Sequence, residues 1–173
     1  MRGMERQRRV YLAGVSGRRP RVPVDYGKLE RAAKRAMTRE AYAYVAAGAG
    51  GGRTMDANLA AFDRVRIVPR MLRDVSERDT SVELFGRRLD SPFMLAPIGV
   101  LELAHRAADL GVARAAKAEG VPMVISNQAS TPMEEIAAEL GDTPRWFQLY
   151  WSTSDDLVES LVGRAEACGA EAI

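Results

Sequence analysis

The chain reads as an α/β protein built on a parallel sheet, and three observations predict this. Short apolar runs begin at Phe93, Pro122 and Trp146, each is followed by a stretch of helical periodicity, and each closes on polar or turn-forming residues. Ala170-Glu171-Ala172-Ile173 adds the start of a fourth strand. Periodicity does not separate a doubly wound sheet from a sector of a barrel. Either architecture puts chemistry at the C-terminal strand ends, where Ala96-Pro97-Ile98-Gly99, Ser126-Asn127-Gln128 and Gln148-Leu149-Tyr150 fall.

Taken in order, residues 1–24 read as a basic, solvated tail and residues 25–173 as the folded domain. Leu29, Ala32, Ala33 and Ala36 recur at helical spacing behind Asp25, a good N-cap. Thr38 caps a second helix through Ala47, with Tyr42, Val45 and Ala46 as its apolar stripe and Gly48 as a left-handed stop. The glycine-rich run 48–52 follows a helix, not a strand, so it is not a dinucleotide-binding turn. A short helix over 55–62 leads to an extended segment over 65–69. Residues 81–89 alternate apolar and polar around Gly86, which predicts a short hairpin.

The first strand, 93–96, is closed by Pro97 and followed by a helix from about His105 to Glu119, stopped by Gly120. The second strand, 122–125, precedes Thr131-Pro132-Met133-Glu134, which reads as a capping box with proline at the first helical position. That helix runs to Leu140. The third strand, 146–150, leads to a helix from Ser154 to Cys168, ended by Gly169.

Composition narrows the function classes. Of 173 residues, 47% are hydrophobic and 28% charged, which suits a soluble, cytoplasmic globular protein with a real core. No run approaches the roughly 18 consecutive apolar residues of a membrane span. One cysteine, Cys168, and one histidine, His105, exclude a disulfide framework and a zinc site built on soft ligands, so no metal is expected. Residues 1–21 carry seven arginines against Glu5 alone, within a total of 25 basic and 23 acidic residues. Aromatics other than Tyr11 are missing from that stretch, so neither nucleic acid nor membrane is expected as a partner.

Few residues carry chemistry. Gln148 interrupts an apolar strand, and a buried amide left unpaired costs about 1–3 kcal/mol. It bonds either a neighbouring strand end or a planar heterocycle with donors and acceptors. Tyr150 shares its strand face, and together they suggest a small-molecule pocket. His105, near a helix start, reads as a surface or capping histidine. Glu134, Glu135 and Glu139 read as a solvated helix face, and Cys168 as packing. Tyr42 and Tyr44 cannot share a helix face, so one packing inward frees the other.

Several segments carry a resemblance: Tyr44-Val45-Ala46-Ala47-Gly48-Ala49, residues 58–62, Val68-Pro69-Arg70-Met71-Leu72-Arg73-Asp74-Val75-Ser76-Glu77-Arg78-Asp79, Ala96-Pro97-Ile98-Gly99-Val100, and Phe147-Gln148-Leu149-Tyr150. In this order and spacing, from about Tyr11 onward, the chain resembles the N-terminal half of the FMN-dependent 2-hydroxy-acid oxidising enzymes, which include glycolate oxidase, lactate oxidase and lactate 2-monooxygenase. The wording around Pro97 and Gly141-Asp142-Thr143-Pro144 is most like lactate 2-monooxygenase.

The resemblance implies an incomplete (β/α)8 barrel of three βα units plus the start of a fourth strand, preceded by N-terminal helices and a hairpin. It implies FMN as cofactor, a small 2-hydroxy acid as substrate, oxygen as acceptor, and homo-oligomeric full-length relatives. Pro97, Ile98 and Gly99 would then lie against the flavin, and Ser126 would bond the ribityl chain or nearby ring atoms. Gln148 would pair with the pyrimidine edge, Tyr150 would contact flavin and the substrate hydroxyl, and Tyr44 would donate to the substrate carboxylate.

A closed barrel takes roughly 250 residues, so the expectation is the N-terminal part of a truncated enzyme. The family's histidine base, carboxylate-clamping arginine, flavin-side lysine and second-half phosphate site would fall on later strands. His105 does not correspond to that base, and the chain by itself is expected to be inactive. A non-catalytic half-barrel remnant, an interaction protein and a standalone flavin binder remain the alternatives.

Overall fold

The computed structural model describes residues 2–173 and divides into two compact units, Met1–Ala61 and Phe62–Ile173. The first holds four helices: α1 (Arg2–Val15), α2 (Tyr26–Ala36), α3 (Arg39–Ala46) and α4 (Arg53–Ala61). The expected tail therefore contains a helix, although Met1 lies outside the described residues, and α1 is almost entirely exposed. Asp25 accepts the Lys28 N–H at 2.8 Å and Thr38 accepts that of Ala41 at 3.1 Å, so both expected caps form. The expected stripe on α3 does not: the buried residue is Ala41, while Val45 is exposed. The helix ends in extended backbone at Ala47, and Gly48 is not left-handed.

In the second unit, β1 (Val82–Leu84) and β2 (Arg87–Leu89) pair antiparallel across Phe85-Gly86. Both turn residues have positive φ, 49° and 76°, the geometry that matches the twist of a two-residue hairpin. Then follow α5 (Ala108–Glu119), β3 (Met123–Ser126), α6 (Met133–Leu140), β4 (Arg145–Gln148) and α7 (Asp155–Ala167). β3 and β4 are parallel, with Met123 opposite Arg145 and Ser126 opposite Gln148.

The first expected strand is reduced to a single parallel bridge between Leu95 and Met123. Phe93 is 71% exposed, so the run has one packed residue and a neighbour on one side only. On the other flank, Phe147 N–H donates to Ala172 and Glu171 N–H to Arg145, at 2.9 Å each, so the chain end runs beside β4. Each extended segment thus lies beside its predecessor, without the reversal of order found in doubly wound sheets.

Alternation along the strands sorts the core. Met123, Ile125 and Phe147 face one way and pack with Ala113 and Ala116 of α5, Met133, Ile136 and Leu140 of α6, and Ala165 of α7. All three helices cover the same face of the strand pair, as in a sector of a helix-wrapped barrel; no closed barrel is formed.

Other expectations change in detail. A 3-10 turn over Leu101–Leu103 comes first and α5 starts at Ala108, three residues later than its periodicity suggests. It does stop at Gly120, with φ 67°. The capping box before α6 does not form: Pro132 is the N-cap and no side chain caps the helix. Of the expected solvated acids, Glu134 makes a two-point ion pair with Arg164 of α7, at 2.6 and 2.9 Å, and Glu139 reaches Arg114 of α5 at 3.9 Å. Cys168 packs against the core, where burial raises its thiol pKa.

Candidate functional site at the strand ends

The parallel register brings Ser126 and Gln148 to the same level at the C-terminal ends of β3 and β4. The Ser126 hydroxyl accepts the Gln128 N–H at 3.1 Å and donates to Gln148 Oε1 at 3.1 Å. Its only proton is therefore committed to the amide oxygen. The Gln148 amide nitrogen, with two donors, has no partner among the described residues. Gln148 is half-buried and not enclosed as expected, and its oxygen takes the neighbouring-strand bond foreseen as one alternative.

The loop after the first bridge meets the loop after β3 closely. Val100 N–H donates to Gln128 O at 2.9 Å, and a Cβ on Gly99 would lie 2.8 Å from the Gln128 Cβ. Glycine is required there by packing. Val100 itself sits at φ 46° and ψ 40°, a left-handed conformation that is costly for a β-branched residue. The N–H groups of Ile98 and Gly99, and the carbonyls of residues 96–99, make no hydrogen bond among the described residues. Pro97 and Ile98 are exposed beside them.

Tyr150 lies two residues beyond the end of β4, is 63% exposed, and its hydroxyl has no partner among the described residues. Tyr44 belongs to the other unit, on α3, and is 59% exposed. Its neighbour Tyr42 packs toward α2, donating to Glu30 at 3.1 Å under the Lys34 ammonium. Desolvation and the Glu30 carboxylate raise the Tyr42 pKa. His105 is exposed, and its Nδ1 accepts the Ala107 N–H at 3.0 Å, a capping role. No metal-ligating cluster occurs among the described residues.

The strand ends form an open shelf, and a cavity lies elsewhere. That cavity, of about 500 Å³ in the first unit, is lined by Arg19, Lys28, Arg31 and Arg35 among others, and by none of the expected site residues.

Two residues that position this sheet are missed by sequence reasoning. Asp109 on α5 is 1% exposed, and its Oδ2 accepts the N–H groups of Ser130 and Thr131 at 2.9 and 3.1 Å. The available signal is its spacing: Asp109, Ala113 and Ala116 form the buried stripe of α5, so an acid stands on an apolar face. Arg145, at the start of β4, donates to the carbonyls of Ala137 and Gly141 and so satisfies the C-terminus of α6.

An FMN-binding role is compatible with these residues. A flavin ring carries carbonyl acceptors and an N–H donor along one edge, and the shelf offers a free amide nitrogen and unpaired backbone groups of both kinds. A second unpaired atom lies close by: Asn127 Oδ1 is buried and has no hydrogen bond.

Known proteins resemble this chain in sequence and fold. A family model described as FMN-dependent dehydrogenase matches residues 33–173. The L-lactate oxidase of Lysinibacillus sphaericus is 35% identical over 94% of this chain and 42% of its own length. The 4-hydroxymandelate oxidase of Amycolatopsis orientalis is 43% identical over 87% of this chain and 42% of its own. A crystal structure of mandelate oxidase superposes with a TM-score of 0.80 at 39% identity, over 87% of this chain and 44% of that one. The chain thus spans about two-fifths of the length of the curated relatives it matches, and it belongs to the FMN-dependent dehydrogenase family.

Proposed function

We propose that this chain contributes part of the flavin and substrate site of an FMN-dependent enzyme that oxidises small L-2-hydroxy acids. Lactate or glycolate is the substrate type, and the outcome is that of an oxidase or of lactate 2-monooxygenase. The observation that carries the reading is the Ser126–Gln148 pair, which leaves an amide N–H₂ free beside unpaired backbone groups at the strand ends. FMN, when bound, would supply the acceptor for the substrate's α-hydrogen as a hydride equivalent, with oxygen as the final acceptor.

The chain's own residues bind and orient. The Gln148 amide nitrogen donates to the carbonyl edge of the ring, Ser126 holds that amide in place, and the backbone of Pro97, Ile98 and Gly99 lines the ring. Tyr150 reaches the flavin and the substrate hydroxyl, and Tyr44 donates to the substrate carboxylate. His105, already accepting an N–H and exposed, is not a base for this reaction. The chain by itself therefore turns over neither L-lactate nor glycolate. Homo-oligomeric assembly and a cytoplasmic location belong to the same reading; no described helix is long and apolar enough to cross a membrane.

A fluorescence titration tests it. FMN emission should be quenched saturably by the purified chain, and replacing Gln148 by Met should weaken the effect about tenfold, the scale of a lost pair of amide hydrogen bonds. Unchanged emission at high micromolar protein would sink the flavin role, and turnover by the chain alone would overturn its inactivity.

One observation favours a second reading, a non-catalytic half-barrel that associates with a partner. Ile67, Val68, Met71 and Leu72 lie in irregular, fully exposed chain. A stable monomer at high concentration by size-exclusion chromatography would count against it.

A further inference from the structure

Every backbone N–H of the loop that follows β3, residues 127–131, has an acceptor. Asn127 N–H donates to Gln148 O at 3.0 Å, Gln128 N–H to Ser126 Oγ at 3.1 Å, and Ala129 N–H to Ser126 O at 3.1 Å. The last two, from Ser130 and Thr131, go to a single carboxylate oxygen of Asp109, which arrives from a different helix. The loop is tied onward as well. Its Gln128 carbonyl receives Val100 N–H at 2.9 Å, and its Ser130 hydroxyl receives Glu102 N–H at 3.1 Å.

We infer that Asp109 is a positioning residue for the strand-end site: its carboxylate sets the 127–131 loop, and through that loop the Ser126 hydroxyl and the backbone at Gly99 and Val100. The inference rests on the flavin reading for what the site binds, and on geometry alone for what Asp109 holds. Three features support it. Asp109 is buried and has no cationic partner among the described residues, so its desolvation is offset through backbone N–H bonds, which a carboxylate accepts strongly. Thr131 makes no side-chain cap on α6, and the segment leading into that helix is held instead by Asp109, which accepts the N–H groups of Ser130 and Thr131. Finally, Gln128 is the junction of both loops. It donates to the serine that orients Gln148 and accepts from the strained residue next to Gly99.

The consequence is directional. Releasing the Ser130 and Thr131 amides frees the loop to shift Gln128, and the Ser126 proton is then no longer held toward Gln148 Oε1. The Gln148 amide loses its fixed orientation, so donor and acceptor exchange places at the shelf.

Amide hydrogen exchange by NMR on the full 173-residue chain, compared between wild type, Asp109→Ala and Asp109→Asn, decides the point. In Asp109→Ala, the amides of Gln128, Ser130 and Thr131 should exchange at least about tenfold faster, while those of Phe147 and Leu140 stay within about twofold of wild type. Asp109→Asn keeps an acceptor at Oδ1 and should recover most of the protection.

Unchanged loop amides in Asp109→Ala would overturn the inference. So would uniform acceleration across the core, which marks general destabilisation, and so would an Asp109→Asn variant indistinguishable from the alanine. FMN titration of the same proteins extends the test: Asp109→Ala should bind about fivefold more weakly and the asparagine variant within about twofold of wild type. Equal FMN affinity with a loosened loop would overturn the link from loop to site. If wild type itself leaves FMN emission unchanged, the flavin reading fails, and the exchange pattern still decides whether Asp109 sets the loop.

Discussion

The two units of the chain are held together by different physics. In Phe62–Ile173, nine buried residues from three helices and two strands form one apolar cluster that spans Ala113 to Ala165 in sequence. In Met1–Ala61, Ala41 is the one buried apolar side chain among the described residues, and the order rests on local devices. These are the Asp25 and Thr38 caps and the Glu30–Tyr42–Lys34 contact between α2 and α3. Short helices without a buried face are marginal in water. The first unit should therefore respond to local changes locally, and the second should respond cooperatively.

The largest expected effect tests the second unit. Ile136→Ala removes a fully buried side chain from the centre of the cluster and should cost about 2–5 kcal/mol, seen as a lower urea midpoint for the loss of tryptophan signal. A loss well under 1 kcal/mol would mean that this unit is not cooperative around α6.

Next comes Gly99→Ala. Its Cβ would meet Gln128 Cβ at 2.8 Å and the Gln128 carbonyl oxygen at 3.3 Å, so one of the two strand-end loops must move. Overpacking of this kind costs about 1–3 kcal/mol. A variant as stable as wild type by thermal melting would show that the loops are loosely joined.

Asp25→Ala probes the first unit and should cost about 1 kcal/mol of local helix stability. The change belongs in far-ultraviolet helicity and in the exchange of the Lys28 amide, with the urea midpoint of the tryptophan signal unmoved. A shifted tryptophan midpoint would break the distinction between the units.

The smallest effect is electrostatic. The Arg164 guanidinium holds the Glu134 carboxyl at about 2, below its ordinary value of 4.5. A depressed carboxylate favours the folded state above its unfolded pKa, and that contribution fades as pH falls from about 4.5 through about 2. Both side chains are solvated, so the change in stability is slight, and it is best read from the Glu134 carboxyl resonance. A midpoint near 4.5 would mean that the α6–α7 ion pair does not persist in solution.

Legibility from the sequence followed interaction range. Asp25, Thr38, Gly86 and Gly120 act within a few residues of themselves, and their caps, turn and stop formed as read. Thr131 and Gly48 are local signals that did not act. Asp109, 21 and 22 positions before Ser130 and Thr131, holds the amides that lead into α6, and α3 ended without a left-handed residue. The run at 93–96 has strand composition, yet one-sided pairing left it a single bridge. Gln148 and Ser126 were both marked as polar residues at strand ends, but not their bond to each other.

The sequence by itself determined the alternation of strands and helices, the polar character of the strand ends and most helix boundaries, because periodicity and capping are properties of neighbouring residues. Only the tertiary structure decided that Ser126 stands opposite Gln148, that Asp109 is buried against the 127–131 loop, and that Gly99 must admit Gln128. Each of these depends on segments brought together by burial of the core, and a buried polar group takes whichever partner that packing places within reach.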